Sequence, residues 1–194
     1  MTDMIVNEAP SAASNRSPGA RMAMVAVAGG LLALSLGVYG RVHEPTGQRI
    51  SKLFFPSLPA MKSWLGTVAF ALALVQLLSA LALYGRLPKL RTNARWLPFF
   101  HRWSGTTAFL VSLPVGYHCL WALGFQVTGP RQIAHSIMGC FFYGAFGTKL
   151  LCLHSTGLPK WRLPVVGGLM VVLLTGIWFS SAFWFFTNVS FPAL

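Results

Sequence analysis

The sequence predicts an all-α integral membrane protein, a five-helix transmembrane bundle with its amino terminus inside and its carboxyl terminus outside. Three observations lead there. Of 194 residues 55% are apolar and only 9% charged, and the mean hydropathy is +0.61, a balance foreign to water-soluble domains. Apolar runs long enough to cross about 30 Å of hydrocarbon recur five times. None of the five contains Asp or Glu, and no acid follows Glu44.

Residues 1–20, "MTDMIVNEAPSAASNRSPGA", are rich in Ala, Ser, Asn and Pro, lack periodicity, and are expected to form a disordered cytoplasmic tail. The first apolar run, 22–40, is too long for a signal peptide and ends in "VYGRVHEP" without a small-residue cleavage pattern, so it reads as a retained anchor. The other runs cover 63–84, 103–125, 132–153 and 164–187. Pro59, Pro88, Pro98, Pro130, Pro159, Pro164 and Pro192 fall between or at the ends of runs, where a break in helical hydrogen bonding can be solvated. Only Pro114 lies well inside one. The connections are too short for a soluble domain, so residues 21–190 form one transmembrane domain.

Orientation follows from the basic residues. Arg16, Arg21, Arg86, Lys89, Arg91, Arg95, Arg102, Lys149, Lys160 and Arg162 gather at one face, against Arg41, Arg49, Lys52, Lys62 and Arg131 at the other. The richer face is the cytoplasmic one. The net charge of +12 is thereby split between two membrane faces and forms no basic helix with interleaved aromatics, which argues against nucleic-acid binding and for contact with anionic lipid. This pattern suits the plasma (inner) membrane of a bacterium.

Cys119, Cys140 and Cys152 show no CxxC or iron–sulfur spacing and read as small packing residues. "VAGGLL" and "VVGGLM" lie within apolar runs and lack the strand and acidic partner of a dinucleotide site. Without an acid in the apolar runs, neither a Ser-His-Asp set nor a two-carboxylate mechanism is available in the bundle.

The histidines remain. An imidazole in hydrocarbon is costly without a partner, which makes it a functional candidate. His118 near the outer end of the third run and His135 near the outer start of the fourth sit about 5 to 10 Å inside the outer boundary, at matched depth. Two such histidines suit the axial positions of a b-type haem, whereas zinc or copper would want three or four ligands. Pro114, one turn before His118, leaves the carbonyl of residue 110 without its donor and opens space. Gly116 and Gly139 offer flat backbone, Tyr117, Trp121, Phe141 and Phe142 an aromatic wall, and Arg131 a partner for haem propionates. Polar packing between helices, or a proton or quinone site without haem, are the alternatives. His101 and His154, 17 and 19 residues from the first pair, form a second pair near the inner interface, for which a second haem and simple solvation compete. His43, in "RVHEPTGQRI", is a candidate for quinone or partner contact, and Lys149 for an inner-face anion.

"HRWSG" followed by a histidine at the far end of the same helix, then "AHS" and "GCFFYGAFGTK", resembles the histidine-bearing helices of the cytochrome b561 and ferric-reductase-like membrane cytochromes. "HEPTG", "MKSWLGTVAFALALVQLLSALALYGRLP" and "HRWSGTTAFLVSLPVGYHCLWALGFQ" are more closely similar to a set of small uncharacterised actinobacterial-type membrane proteins, over about residues 38–188. The first resemblance implies transmembrane electron transfer, with His118 and His135 as haem ligands.

The expected function is that of a membrane b-type cytochrome, an electron-transfer protein or oxidoreductase-complex subunit, passing single electrons between membrane quinol and an outer-face redox partner. A haem-free structural or assembly subunit of a larger membrane complex is the competing class, with "GIWFSSAFWFF" as packing surface. A transporter is disfavoured by the lack of acids, inverted repeats or broken helix pairs.

Overall fold

A computed structural model describes residues 17–48, 51–87 and 95–189. Residues 1–16 of the expected tail lie outside the described residues, as do Arg49, Lys89 and Arg91. All regular structure among the described residues is helical: α1 (Pro18–Val42), α2 (Leu58–Leu83), α3 (Trp96–Tyr117), α4 (Pro130–His154), α5 (Arg162–Trp178) and α6 (Trp184–Asn188). A π-turn, His118–Leu123, prolongs α3, and a second, Phe179–Phe183, joins α5 to α6. Five spans are thus long and apolar enough to cross a membrane. Between 11% and 28% of the most apolar stretch of each is buried inside the bundle, so most of the apolar surface needs lipid around it.

Each span begins before its apolar run. Ser17 accepts from the Ala20 amide at 3.2 Å ahead of Pro18, and Ser57 does the same for Ala60 ahead of Pro59. Pro130 occupies the first position of α4, and Pro98 and Pro164 stand in the first turns of α3 and α5. Proline is tolerated there because first-turn amides have no intrahelical acceptor. Pro59, Pro98, Pro130 and Pro164 therefore lie inside the helices they start, while Pro159 stays in the loop before α5.

The helices pack in the order α1, α4, α5, α2, α3. Along α1 and α4 the backbones meet through small residues. A Cβ added at Gly29 would lie 2.7 Å from the Gly144 carbonyl, and one at Gly144 would lie 2.8 Å from the Ala33 methyl. Such close approach supplies dispersion contact and interhelical association where no hydrophobic effect operates. Trp178 donates from Nε1 to the Thr67 hydroxyl at 2.9 Å, fastening α5 to α2. Met22, Cys152, Leu158 and Val166 form a cluster where α1, α4 and α5 meet, giving the buried, free Cys152 the packing role expected of it.

The end of the bundle bearing the loops after α1 and α3 is termed the upper end. There the Phe125 amide donates to the Gly40 carbonyl at 2.6 Å and the Gly47 amide to the Ala122 carbonyl at 3.2 Å. Gly124 turns the chain with φ 68°, a conformation that favours glycine.

Gly144→Ala should destabilise the detergent-solubilised protein by about 1–3 kcal/mol, because the added methyl has no room. Gly30→Ala, where nothing lies within 4 Å, should be neutral or stabilising by up to about 1 kcal/mol. Unfolding titrations of the two variants decide it, and equal stabilities would refute the close α1–α4 crossing.

Candidate functional site

Although α3 and α4 are consecutive, their backbones stand apart and side chains span the seam. Phe109 of α3 stacks on Phe146 of α4 at 3.8 Å, and Tyr143 donates from its hydroxyl to the Ser112 carbonyl at 3.0 Å. Above these contacts a cavity of about 220 Å³ opens among α2, α3, α4 and α5. Its polar lining includes Lys62, Ser63, Ser112, Arg131, His135, Tyr143 and Ser181, and its walls Phe142, Leu174, Ile177, Trp178 and Trp184. Gly116 and Gly139 both line it. Gly116 lies so close to the Tyr143 ring that any side chain there would collide with it.

His135 enters this cavity from the second turn of α4. Its Nδ1 lies 3.0 Å from the Ser180 hydroxyl, which donates its own proton to the Gly176 carbonyl at 2.8 Å. A hydroxyl has one proton, so while Ser180 gives its proton to the carbonyl His135 donates from Nδ1 and keeps the lone pair on Nε2; donation from Ser180 to the ring would reverse the two. Ser180 belongs to the π-turn after α5, and its carbonyl accepts from Arg131 Nη1 at 2.6 Å. The Arg131 guanidinium also lies 4.1 Å over the Trp184 ring. One serine therefore orients both the imidazole and the cation.

His118 opens the other π-turn and is 4% exposed. Its Nδ1 lies 2.7 Å from the Pro114 carbonyl, which can only accept, so here too Nδ1 holds the proton. Its Nε2 is buried with no partner, a state shared among the described residues only by His43 Nε2. The His118 ring is not among the cavity's lining groups, although its neighbours Cys119 and Gly116 are. The structure thus places His118 and His135 at the same end of neighbouring walls but directs only His135 into the cavity. Tyr117 and Trp121 pack on each other at 5.1 Å outside the cavity, and Phe141 is 53% exposed.

The lower pair is separated. His101 meets the Ser79 hydroxyl of α2 at 2.7 Å through Nδ1, beside Gln76, which donates to the His101 carbonyl at 2.5 Å and to the Ser104 hydroxyl at 2.6 Å. His154 is exposed, with Nδ1 donating to the Leu150 carbonyl at 2.9 Å, and lines a groove with Arg21 on the α1 side. His101 does not line the groove that holds His154. His43 stacks on Tyr39 at 4.9 Å and meets Trp121 edge-on at 6.3 Å, in the upper loop. Lys149 is half-buried on α4.

Sequence reasoning overlooked Lys62, Tyr143 and Ser180 as cavity or positioning groups. A signal existed for two of them: Lys62 breaks the polarity pattern at the start of a span, and "SS" interrupts an aromatic run at the depth of His135. Tyr143 carried none.

No group of three or more His, Cys, Asp or Glu gathers among the described residues. The donor chemistry fits a haem, since both upper imidazoles keep Nε2 as a lone-pair nitrogen held in place by a hydrogen bond at Nδ1. The cavity is smaller than the roughly 300–1,000 Å³ of small-molecule sites, so a porphyrin would enter only as the α3–α4 seam widened and the His118 ring turned toward it.

A family model matches residues 22–193, nearly the whole chain, and the chain belongs to that family, DUF6529, a family of unknown function. No curated protein and no solved structure matches. Membership agrees with the similarity to small uncharacterised membrane proteins, while the likeness to cytochromes rests on the motif residues alone.

In ¹⁵N-histidine spectra His118 and His135 should both appear as the Nδ1–H tautomer. Ser180→Ala should disturb His135 alone, at a stability loss of about 0.5–1.5 kcal/mol. An unchanged His135 signal would mean that Ser180 does not hold the ring.

Proposed function

We propose that the chain is a membrane b-type cytochrome that passes single electrons between membrane quinol and an outer-face redox partner. It would lie in a bacterial plasma membrane with its amino terminus inside and its upper end outside. His118 and His135 would be the axial ligands, Arg131 the partner of the propionates, and Tyr117 a rim contact. When bound, haem supplies a one-electron couple at iron that no side chain here provides.

The observation that carries this reading is the His118 imidazole: buried, fixed through Nδ1 to Pro114, and left with an unpaired Nε2. An unsatisfied buried acceptor costs about 1–3 kcal/mol, and a bound metal would relieve that cost. His135 has the same tautomer and faces a cavity with apolar walls. Arg131 would offset anionic charge on a bound haem, while Phe142, Leu174 and Trp178, which line the cavity, would exclude water from it. The separation of His101 from His154 supports one haem rather than two.

The second reading, a haem-free structural or assembly subunit, draws support from the His118 ring packing outside the cavity and from Gly167 and Gly168, which have nothing within 4 Å. Reduced-minus-oxidised spectra of the purified, haem-reconstituted protein separate the two. The cytochrome reading expects a b-type spectrum abolished by His118→Ala and by His135→Ala, and unaffected by His154→Ala. A wild type that stays colourless would leave the subunit reading in possession.

A further inference from the structure

We propose that Lys62 and Arg131 form a two-cation seat for the carboxylate or phosphate head of an anionic amphiphile whose apolar body occupies the cavity. The proposal extends the reading above but does not require haem. α2 and α4 both start at the upper end, so Lys62, near the start of α2, and Arg131, in the first turn of α4, face one cavity mouth from opposite sides. Among the described residues no acid balances them. Glu44, the only acidic residue among the described ones, is exposed and does not line the cavity. Lys62 is half-buried and makes no hydrogen bond or ion pair among the described residues, and Arg131 commits a single N–H to Ser180.

Two uncompensated cations at the edge of hydrocarbon repel each other and lose hydration, and an anion between them would relieve both effects. A guanidinium beside an ammonium binds carboxylate or phosphate oxygens through charge-assisted hydrogen bonds. Below the mouth, Ala69, Phe142, Leu174 and Ile177 offer an apolar lining about two turns deep. The cavity therefore suits a charged head above and a narrow apolar body beneath. A lipid or fatty acid from the surrounding leaflet has that shape, and so does a porphyrin edge carrying propionates.

Trp178 and Trp184 line the cavity and report occupancy. In zwitterionic nanodiscs, a brominated long-chain fatty acid should quench the protein's tryptophan fluorescence saturably, with the matching brominated alcohol about tenfold weaker. Lys62→Gln should weaken the acid about tenfold and Lys62→Arg should restore it. Equal binding of acid and alcohol, or an unaltered Lys62→Gln protein, would overturn the seat. Displacement of the acid by inorganic phosphate would overturn the need for an apolar body. Competition by haem but not by its dimethyl ester would identify porphyrin carboxylates as the occupant, and competition by a lysophospholipid alone would identify a lipid head. The two proposals fail separately: acid-selective quenching without a haem spectrum keeps the seat and removes the cytochrome. Haem bound with unchanged affinity by Lys62→Gln and Arg131→Gln does the reverse.

Discussion

Every polar group inside this bundle must find its partner within the chain, because hydrocarbon offers none. The spans contain no acid, so backbone carbonyls take the place of counter-ions. Ser104 donates to the Phe100 carbonyl at 2.8 Å, Thr148 to Gly144 at 3.1 Å and Thr175 to Val171 at 2.7 Å, each one turn back. The histidines follow the same rule: His118 and His154 donate to the carbonyl four residues earlier, while His135 and His101 lean on serines whose own protons are given to carbonyls. Carbonyls accept only, so the same constraint sets the tautomer of His118 and His154, and it does so for His135 and His101 wherever the serine proton stays on its carbonyl.

The two π-turns show the constraint acting on the backbone. Pro114 has no amide proton, and its ring strips the carbonyl one turn earlier of a donor. The ladder resumes with wider spacing over His118–Leu123, where His118 takes up the Pro114 carbonyl. At Phe179–Phe183 the wider spacing accompanies a Ser180 carbonyl that accepts from Arg131. π-turns of this kind recur at functional sites, and here both flank the upper cavity.

The five spans were legible in the sequence because hydrocarbon thickness fixes their length and proline marks their starts. That His118 and His135 lie at the same end of the bundle was legible for the same reason, through residue counting along a helix. Direction around the helix axis was not. Which way His118 points depends on the order of the helices around the bundle and on the phase change at the π-turn, and neither leaves a periodic trace in so uniformly apolar a sequence. The separation of His101 from His154 has the same origin: depth pairs them, but one faces α2 and the other the α1 side. Lys62 was read as a topology marker because its charge spoke for a membrane face before its neighbours were known.

The close crossing of α1 and α4 also bears on how the molecule is made. Gly29 and Gly144 touch across 115 positions of chain, so α1 leaves the ribosome long before its partner exists. Its small-residue face must wait in lipid, or against some other helix, while α2 and α3 are inserted. The arrival of α4 therefore captures the first helix, and the bundle closes only when α5, which lies between α4 and α2, completes the cavity around His135 and Arg131.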